Sequence, residues 1–180
     1  YNKLKNKGGA DGLLDAEILL LPKTQDEFDP ILRRPIVIAQ MIARCLTKML
    51  DTRLRDNIPQ IPQQGGYKKE VGAEDVAASF NIFAEQARRM GMDLDIFITD
   101  WQRMYDSIPI WLPIGILKRQ GAPEGFVQLI KTILETRTVK FRTAFGCTEG
   151  LHPTVGLAQG DPLSCALAIN VVDLVVKTIC

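Results

Sequence analysis

Residues 156–164 read Gly-Leu-Ala-Gln-Gly-Asp-Pro-Leu-Ser, and no other stretch constrains the fold as strongly. Two glycines bracket a glutamine, and an Asp-Pro pair opens a long apolar run from Leu163 to Val176. Asp161 suits an N-cap, because its carboxylate can accept backbone N–H groups that a first helical turn leaves unpaired. Pro162 suits the first helical position, where its missing N–H costs nothing. The pattern predicts a bare glycine loop delivering Gln159 to the mouth of a buried helix. Free N–H groups and a positive dipole end gather there, which favours a flat polar ligand or an anion. An ordinary loop-to-helix junction shows the same spacing, so the remainder of the chain must decide.

Its 180 residues suffice for one domain, or a large piece of one, with a sizeable core. At 46% hydrophobic and 24% charged the composition is globular, without low-complexity tracts or internal repeats. A net charge of +1 gives no global basic excess, so any nucleic-acid surface must be local. Cys45, Cys147, Cys165 and Cys180 lie far apart and His152 is the only histidine, which leaves no zinc spacing and no CxxC. Scattered cysteines fit an intracellular, reducing compartment. The most apolar stretch, 166–176, is interrupted by Asn170 and Asp173 and is too short to span a bilayer. No signal peptide is recognisable, and because Tyr1 is not a start methionine the natural N-terminus is expected upstream.

Residues 1–12 read as a mobile polar entry, 17–21 as a strand stopped by Pro22-Lys23, and 24–30 as an acidic loop. Arg33-Arg34-Pro35-Ile36 leads into a helix whose apolar positions are Ile38, Ile42, Cys45, Leu46, Met49, Leu50 and Leu54. Arg44, Lys48, Arg53 and Arg55 occupy its other face. Pro59 and Pro62 end it, and a glycine-containing loop, 63–69, follows. A second helix is expected over 74–90, with Val76, Phe80, Phe83, Ala84 and Ala87 as its stripe and Gly91 as its C-cap. Leu94, Ile96 and Ile98 alternate with Asp95, Phe97 and Thr99, the pattern of a strand ending on Asp100. Residues 110–117 look helical but disturbed by Pro113 and Gly115; 124–134 form another helix, and 139–145 another strand. Helices mixed with strands, without strict βαβ repetition, argue for an α+β fold.

A carboxylate at the exit of a buried strand is held rigidly at a sheet edge. Mg²⁺ needs such a ligand, because it demands near-ideal octahedral oxygen geometry. Polymerases use two such ions to clamp the attacking and leaving oxygens of phosphoryl transfer. Taken alone, Asp100 is equally a strand-ending turn residue, Tyr105 a core aromatic, and Lys68-Lys69 a solvated charge pair.

The 156–164 stretch resembles the sixth-to-seventh-block signature of reverse transcriptases, above all those of non-LTR retrotransposons and group II introns. The other blocks resemble that family in order. Asp100 followed by Tyr105-Asp106 is similar to motif A; the resemblance implies that Asp100 binds the catalytic metals and that Tyr105 sits under the sugar and excludes a 2′-hydroxyl. Asp106 matches the pattern but is not carried over as a metal ligand. Residues 64–75 resemble the fingers block Gln-x-Gly-Phe-Arg-x-Gly-x-Ser-x-x-Asp at identical spacing. Lys68 stands there in place of arginine as the implied triphosphate contact, supplying charge without the planar fork. Glu70 and Gly72 depart from the pattern, as does Cys165 after Ser164. Leu20-Leu21-Pro22-Lys23 and Arg34-Pro35-Ile36 resemble the opening blocks, continued by Lys48 and Arg53-Leu54. Arg34 either contacts nucleic acid or pairs with a buried carboxylate. By the same resemblance Gln159 and Gly160 line the nucleotide pocket and Ser164 joins them on nucleic acid. Asn170 and Asp173 echo the family's Asn and Asp, and in an apolar surround they read as buried bonding groups.

What the resemblance implies is a right-hand polymerase: a fingers-like region over 1–99 and a partial palm over 100–180, built on an antiparallel sheet with packed helices. Mg²⁺ or Mn²⁺, an RNA template and a DNA primer belong to the complete enzyme. The Tyr/Phe-x-Asp-Asp of motif C is not found in these residues. One aspartate cannot hold two ions, so the chain by itself is expected to be inactive and to bind no metal. The flank of the Asp100 strand is expected to be an open edge, available to a protein partner. The competing expectation is a non-catalytic derivative kept as a binding or assembly module.

Overall fold

A computed structural model describes residues 12–22, 33–58, 60–62, 64–68 and 70–179. The expectations for 1–11, for Lys23 and the acidic loop, and for Pro59, Gln63, Lys69 and Cys180 fall outside them. Four strands form one sheet in the order β2-β1-β3-β4: β1 (Asp15–Leu21), β2 (Arg34–Ala39), β3 (Thr138–Thr143) and β4 (Gly146–Cys147). β1 and β2 pair antiparallel, with Ala16 opposite Ala39 and Leu21 opposite Arg34. β3 joins the other edge of β1 in parallel, Ala16 beside Val139, and β4 returns antiparallel.

The sheet is therefore mixed, where an antiparallel sheet was expected. A parallel neighbour needs a long crossover, and the helices between β1 and β3 supply it. They are α1 (Met41–Asn57), α2 (Ala73–Met90), the single turn α3 (Met104–Ser107), α4 (Trp111–Arg119) and α5 (Glu124–Thr136); α6 (Pro162–Ile179) follows the sheet.

The core lies where α6 packs against α1 and α4, with α5 behind α4. Leu117, Ile130 and Leu167 have no exposed surface, and Leu163 and Val127 have 1%. Burying each such side chain contributes about 1.5–3 kcal/mol. A smaller cluster of Ala16, Ile18 and Val139 covers the sheet. Pro113 does not disturb α4: it occupies the first turn, whose N–H groups have no intrahelical acceptor.

Several elements differ from the sequence pattern, each for an identifiable reason. Ile38 belongs to β2, and α1 starts only at Met41. That helix buries Ala43, Thr47, Leu50, Asp51 and Leu54, and exposes Ile42, Cys45 and Met49. Asp51 can turn inward because Lys48 and Arg55 bind its two oxygens at 2.9 and 2.6 Å. α2 forms with Gly91 in the left-handed conformation (φ +65°) and Asp75 capping the Gly72 N–H, yet none of its residues is buried. Its Val76, Phe80 and Phe83 stripe faces solvent. The alternating segment 94–99 is not a strand, and Ile98 is 87% exposed. A strand requires a neighbour, and both edges of β1 are taken while no other described residue pairs with this segment. Phe145, expected in a strand, sits in the β3–β4 turn, fully exposed.

Candidate nucleotide cleft

The glycine loop that opens α6 is docked on two partners at once. On one side the Gly156 N–H donates to the Ile108 carbonyl at 2.9 Å, and Leu157 N–H to the Tyr105 carbonyl at 2.7 Å. Gly156 has φ +91°, and a Cβ there would lie 3.1 Å from the Asp106 carbonyl oxygen. On the other side Val37 N–H of β2 donates to the Gln159 carbonyl at 2.8 Å. Gly160 has φ +110°, and its Cβ would stand 2.9 Å from the Val37 carbonyl oxygen. Both glycines thus adopt a backbone that other residues avoid and permit a contact that a side chain would block.

Beneath the loop, Asp161 caps α6 by accepting the Ser164 N–H at 3.2 Å. Burial raises its carboxyl above the ordinary range, opposed by the Thr47 hydroxyl, the Ser164 and Leu163 N–H groups and the Arg137 guanidinium. Arg137 donates its Nη2 to the Gly156 carbonyl at 2.7 Å. Burial lowers the pKa of this guanidinium, and Asp161 opposes the change. Sequence reasoning missed Arg137 entirely. It sits between α5 and β3 with no motif around it, and only its partners, far along the chain, show its role.

These contacts bring Gln159, Tyr105, Asp106 and Arg34 to the wall of one cleft of about 360 Å³, together with Arg33, Pro35 and Trp101. Arg34 is exposed and has no ion pair among the described residues, so the carboxylate alternative finds no support there. The Tyr105 hydroxyl is 2.9 Å from the Tyr67 hydroxyl and 3.6 Å from Cys165 Sγ. Desolvation first, and these two contacts second, hold the phenol protonated well beyond the usual tyrosine range. Burial also raises the Asp106 carboxyl, while Arg103 pulls it down.

Four expected site residues lie elsewhere, the first being Gly160, which packs on the Val37 backbone and does not line the cleft. Asp100 is exposed and does not line the cleft, although its neighbour Trp101 does. Lys68 opens onto a separate cleft of about 460 Å³, with Lys48, Arg55 and Tyr67. Ser164 is 1% exposed and bonds Asp161, so it cannot touch nucleic acid; its place in the first turn of α6 turns it inward. Asp173 is a buried bonding group as expected, accepting from Ile61 N–H and Gln64 Nε2 at 3.2 Å each. It ties Ile61 and Gln64 to α6. Among the described residues no three His, Cys, Asp or Glu side chains are grouped to hold a metal ion, and no helix is long and apolar enough to cross a membrane.

No protein-family profile matches the chain. Curated relatives do. Over 164 residues it is 28% identical to the retrovirus-related Pol polyprotein from the type-2 retrotransposable element R2DM of Drosophila melanogaster, covering 91% of this chain and 16% of that protein. The Pol polyprotein of the R2 element of Nasonia vitripennis is 27% identical over 166 residues, again 91% of this chain and 16% of the relative. That of Popillia japonica is 28% identical over 155 residues, 86% of this chain and 22% of the relative. The chain spans about a sixth of the length of the first two, and what it is similar to is the Pol polyproteins of R2 retrotransposable elements.

Proposed function

We propose that the chain is a fragment of an RNA-directed DNA polymerase, with a fingers-like region over 1–99 and part of the palm over 100–180. One observation carries this reading. The 156–160 loop bonds Tyr105 on one side and β2 on the other, so Tyr105, Gln159 and Arg34 share one nucleotide-sized hollow. In it, Gln159 bonds the base or base pair, Tyr105 closes the space beneath the sugar against a 2′-hydroxyl, and Arg34 attracts phosphate. The relatives' name as Pol polyproteins supports the same assignment.

Mg²⁺ or Mn²⁺ supplies a clamp on the reacting oxygens in such enzymes. The described residues do not fit that group by themselves: Asp100 is a single exposed carboxylate without a second ligand cluster beside it. This chain's own contribution is therefore binding and orientation. Primer extension on an RNA template by the longer protein that carries these residues tests the proposal, with Asp100→Asn beside the wild type. Extension by the wild type is expected, and its absence overturns the polymerase reading; undiminished extension by Asp100→Asn removes Asp100 from the metal ligands that the resemblance implies.

A second reading, a non-catalytic binding module, is favoured by the bare segment before Asp100, where Ile96, Phe97 and Ile98 are 54%, 83% and 87% exposed. It expects a protein or RNA to cover that segment. Unchanged protection of residues 94–98 from hydrogen exchange in the assembled parent, compared with the isolated chain, counts against it.

A further inference from the structure

We propose that the cleft lined by Lys48, Arg55 and Lys68 is a phosphate-binding pocket separate from the Gln159 cleft, taking the backbone of a nucleic-acid strand that crosses the outside of α1. Three cations face this hollow of about 460 Å³, with Ile58, Gln60 and Tyr67 completing it. Asp51, which pairs with Lys48 and Arg55, is 1% exposed. It orients those two cations from below and presents almost no surface of its own to a ligand.

Arg55 is the fixed member. Its Nε bonds Asp51 at 2.6 Å and its Nη1 bonds the Tyr67 carbonyl at 2.7 Å. A guanidinium has five N–H donors, so three of them remain for an anion while the group itself is held from two sides. Its side chain is 32% exposed, enough to be reached. Lys48 is anchored on the same carboxylate at 2.9 Å. Lys68 has no ion pair among the described residues and is exposed. A preset fork with two lysines beside it matches the several oxygens of a phosphate better than a single carboxylate would.

Tyr67 decides between the two sources of phosphate. It lines this pocket, and its hydroxyl meets that of Tyr105, which lines the Gln159 cleft. The tyrosine pair thus stands between the two hollows. A nucleotide seated against Gln159 has that pair between it and Lys68, whereas a strand's phosphodiesters reach the pocket directly. Assigning the phosphates to a nucleic acid rests on the polymerase proposal, but the test below needs no catalysis, so the two can fail independently.

Fluorescence anisotropy with a labelled oligouridylate measures affinity for the chain across a salt series, and sodium tripolyphosphate serves as the second ligand. Lys48→Ala/Lys68→Ala is the main variant. Lys68→Ala alone is included because it breaks no ion pair and so keeps the test valid if the double variant fails to fold by circular dichroism. Removing two phosphate contacts on a single strand should weaken binding about 25-fold at ~0.1 M salt and lower the slope of log K against log salt by about 1.4. Lys68→Ala should show about half that slope change, and Lys131→Ala, on α5, none. If tripolyphosphate binding depends on these lysines and RNA binding does not, the strand assignment is overturned in favour of a nucleotide tail. If neither ligand responds to the variants, the pocket itself is refuted.

Discussion

Replacing Gly160 with alanine should break the contact that joins the loop to the sheet. At φ +110° an alanine is strained whatever the space around it, and the added Cβ would stand 2.9 Å from the Val37 carbonyl oxygen. That neighbour is backbone in the middle of β2 and cannot swing away as a side-chain tip would. Holding a non-glycine residue in such a conformation costs about 1–3 kcal/mol. Relieving the clash by moving the loop loses the Val37 N–H bond to the Gln159 carbonyl, worth about 1 kcal/mol. The sum, about 2–4 kcal/mol, corresponds to a fall in melting temperature of roughly 5–15 °C for a domain of this size. Should the loop detach without global unfolding, the loss appears instead at the Val37 amide, where ~2 kcal/mol speeds hydrogen exchange about thirtyfold. Gly115→Ala is the control: a Cβ there meets nothing within 4 Å and the position is helical, so stability should rise by about 0.5–1 kcal/mol. Gly160→Ala with an unchanged melting temperature and an unchanged Val37 exchange rate would refute the docking argument.

Three further outcomes follow from buried polar groups. Asp173→Ala leaves Ile61 N–H and Gln64 Nε2 without an acceptor and should cost about 2–3 kcal/mol in urea unfolding, with faster exchange at Ile61; a loss under ~0.5 kcal/mol would contradict the tether. The Asp161 carboxyl is raised by burial above its ordinary 3.8, so the folded state holds the proton more tightly than the unfolded one. Its contribution is therefore present in acid and lost as pH rises through the raised value. Asp161→Asn, which keeps a capping side chain, should gain on the wild type between pH ~4 and neutrality, and a stability difference that stays flat in stepwise urea titrations would sink the assignment. Burial and the Tyr67 and Cys165 contacts keep the Tyr105 phenol protonated, so Tyr105→Phe should leave the tyrosinate absorbance near pH ~10 unchanged. A drop by a third, one of the chain's three tyrosines, would show that Tyr105 titrates normally.

What was legible in the sequence is what neighbours along the chain decide. Asp161 caps α6 and Gly91 ends α2, because each partner lies within a turn. The glycine loop that delivers Gln159 to α6 was also visible, though not that Gly156 permits contact with Asp106 and Gly160 with Val37. Where burial depends on a distant partner the pattern misleads. Ile42 and Met49 belong to the apolar pattern of α1, yet in packing against α6 the helix buries the face that holds Leu50, Leu54 and the ion-paired Asp51, and those two residues face water. Residues 94–98 alternate like a strand, yet alternation supplies only a face; the ladder must come from another strand. Lys68 shows the same limit at the site. Spacing places it in the fingers block, but the preceding Tyr67 reaches Tyr105, and the lysine falls on the far side of that contact. A motif therefore predicts which residues gather, whereas single side chains between them decide which cleft each one serves.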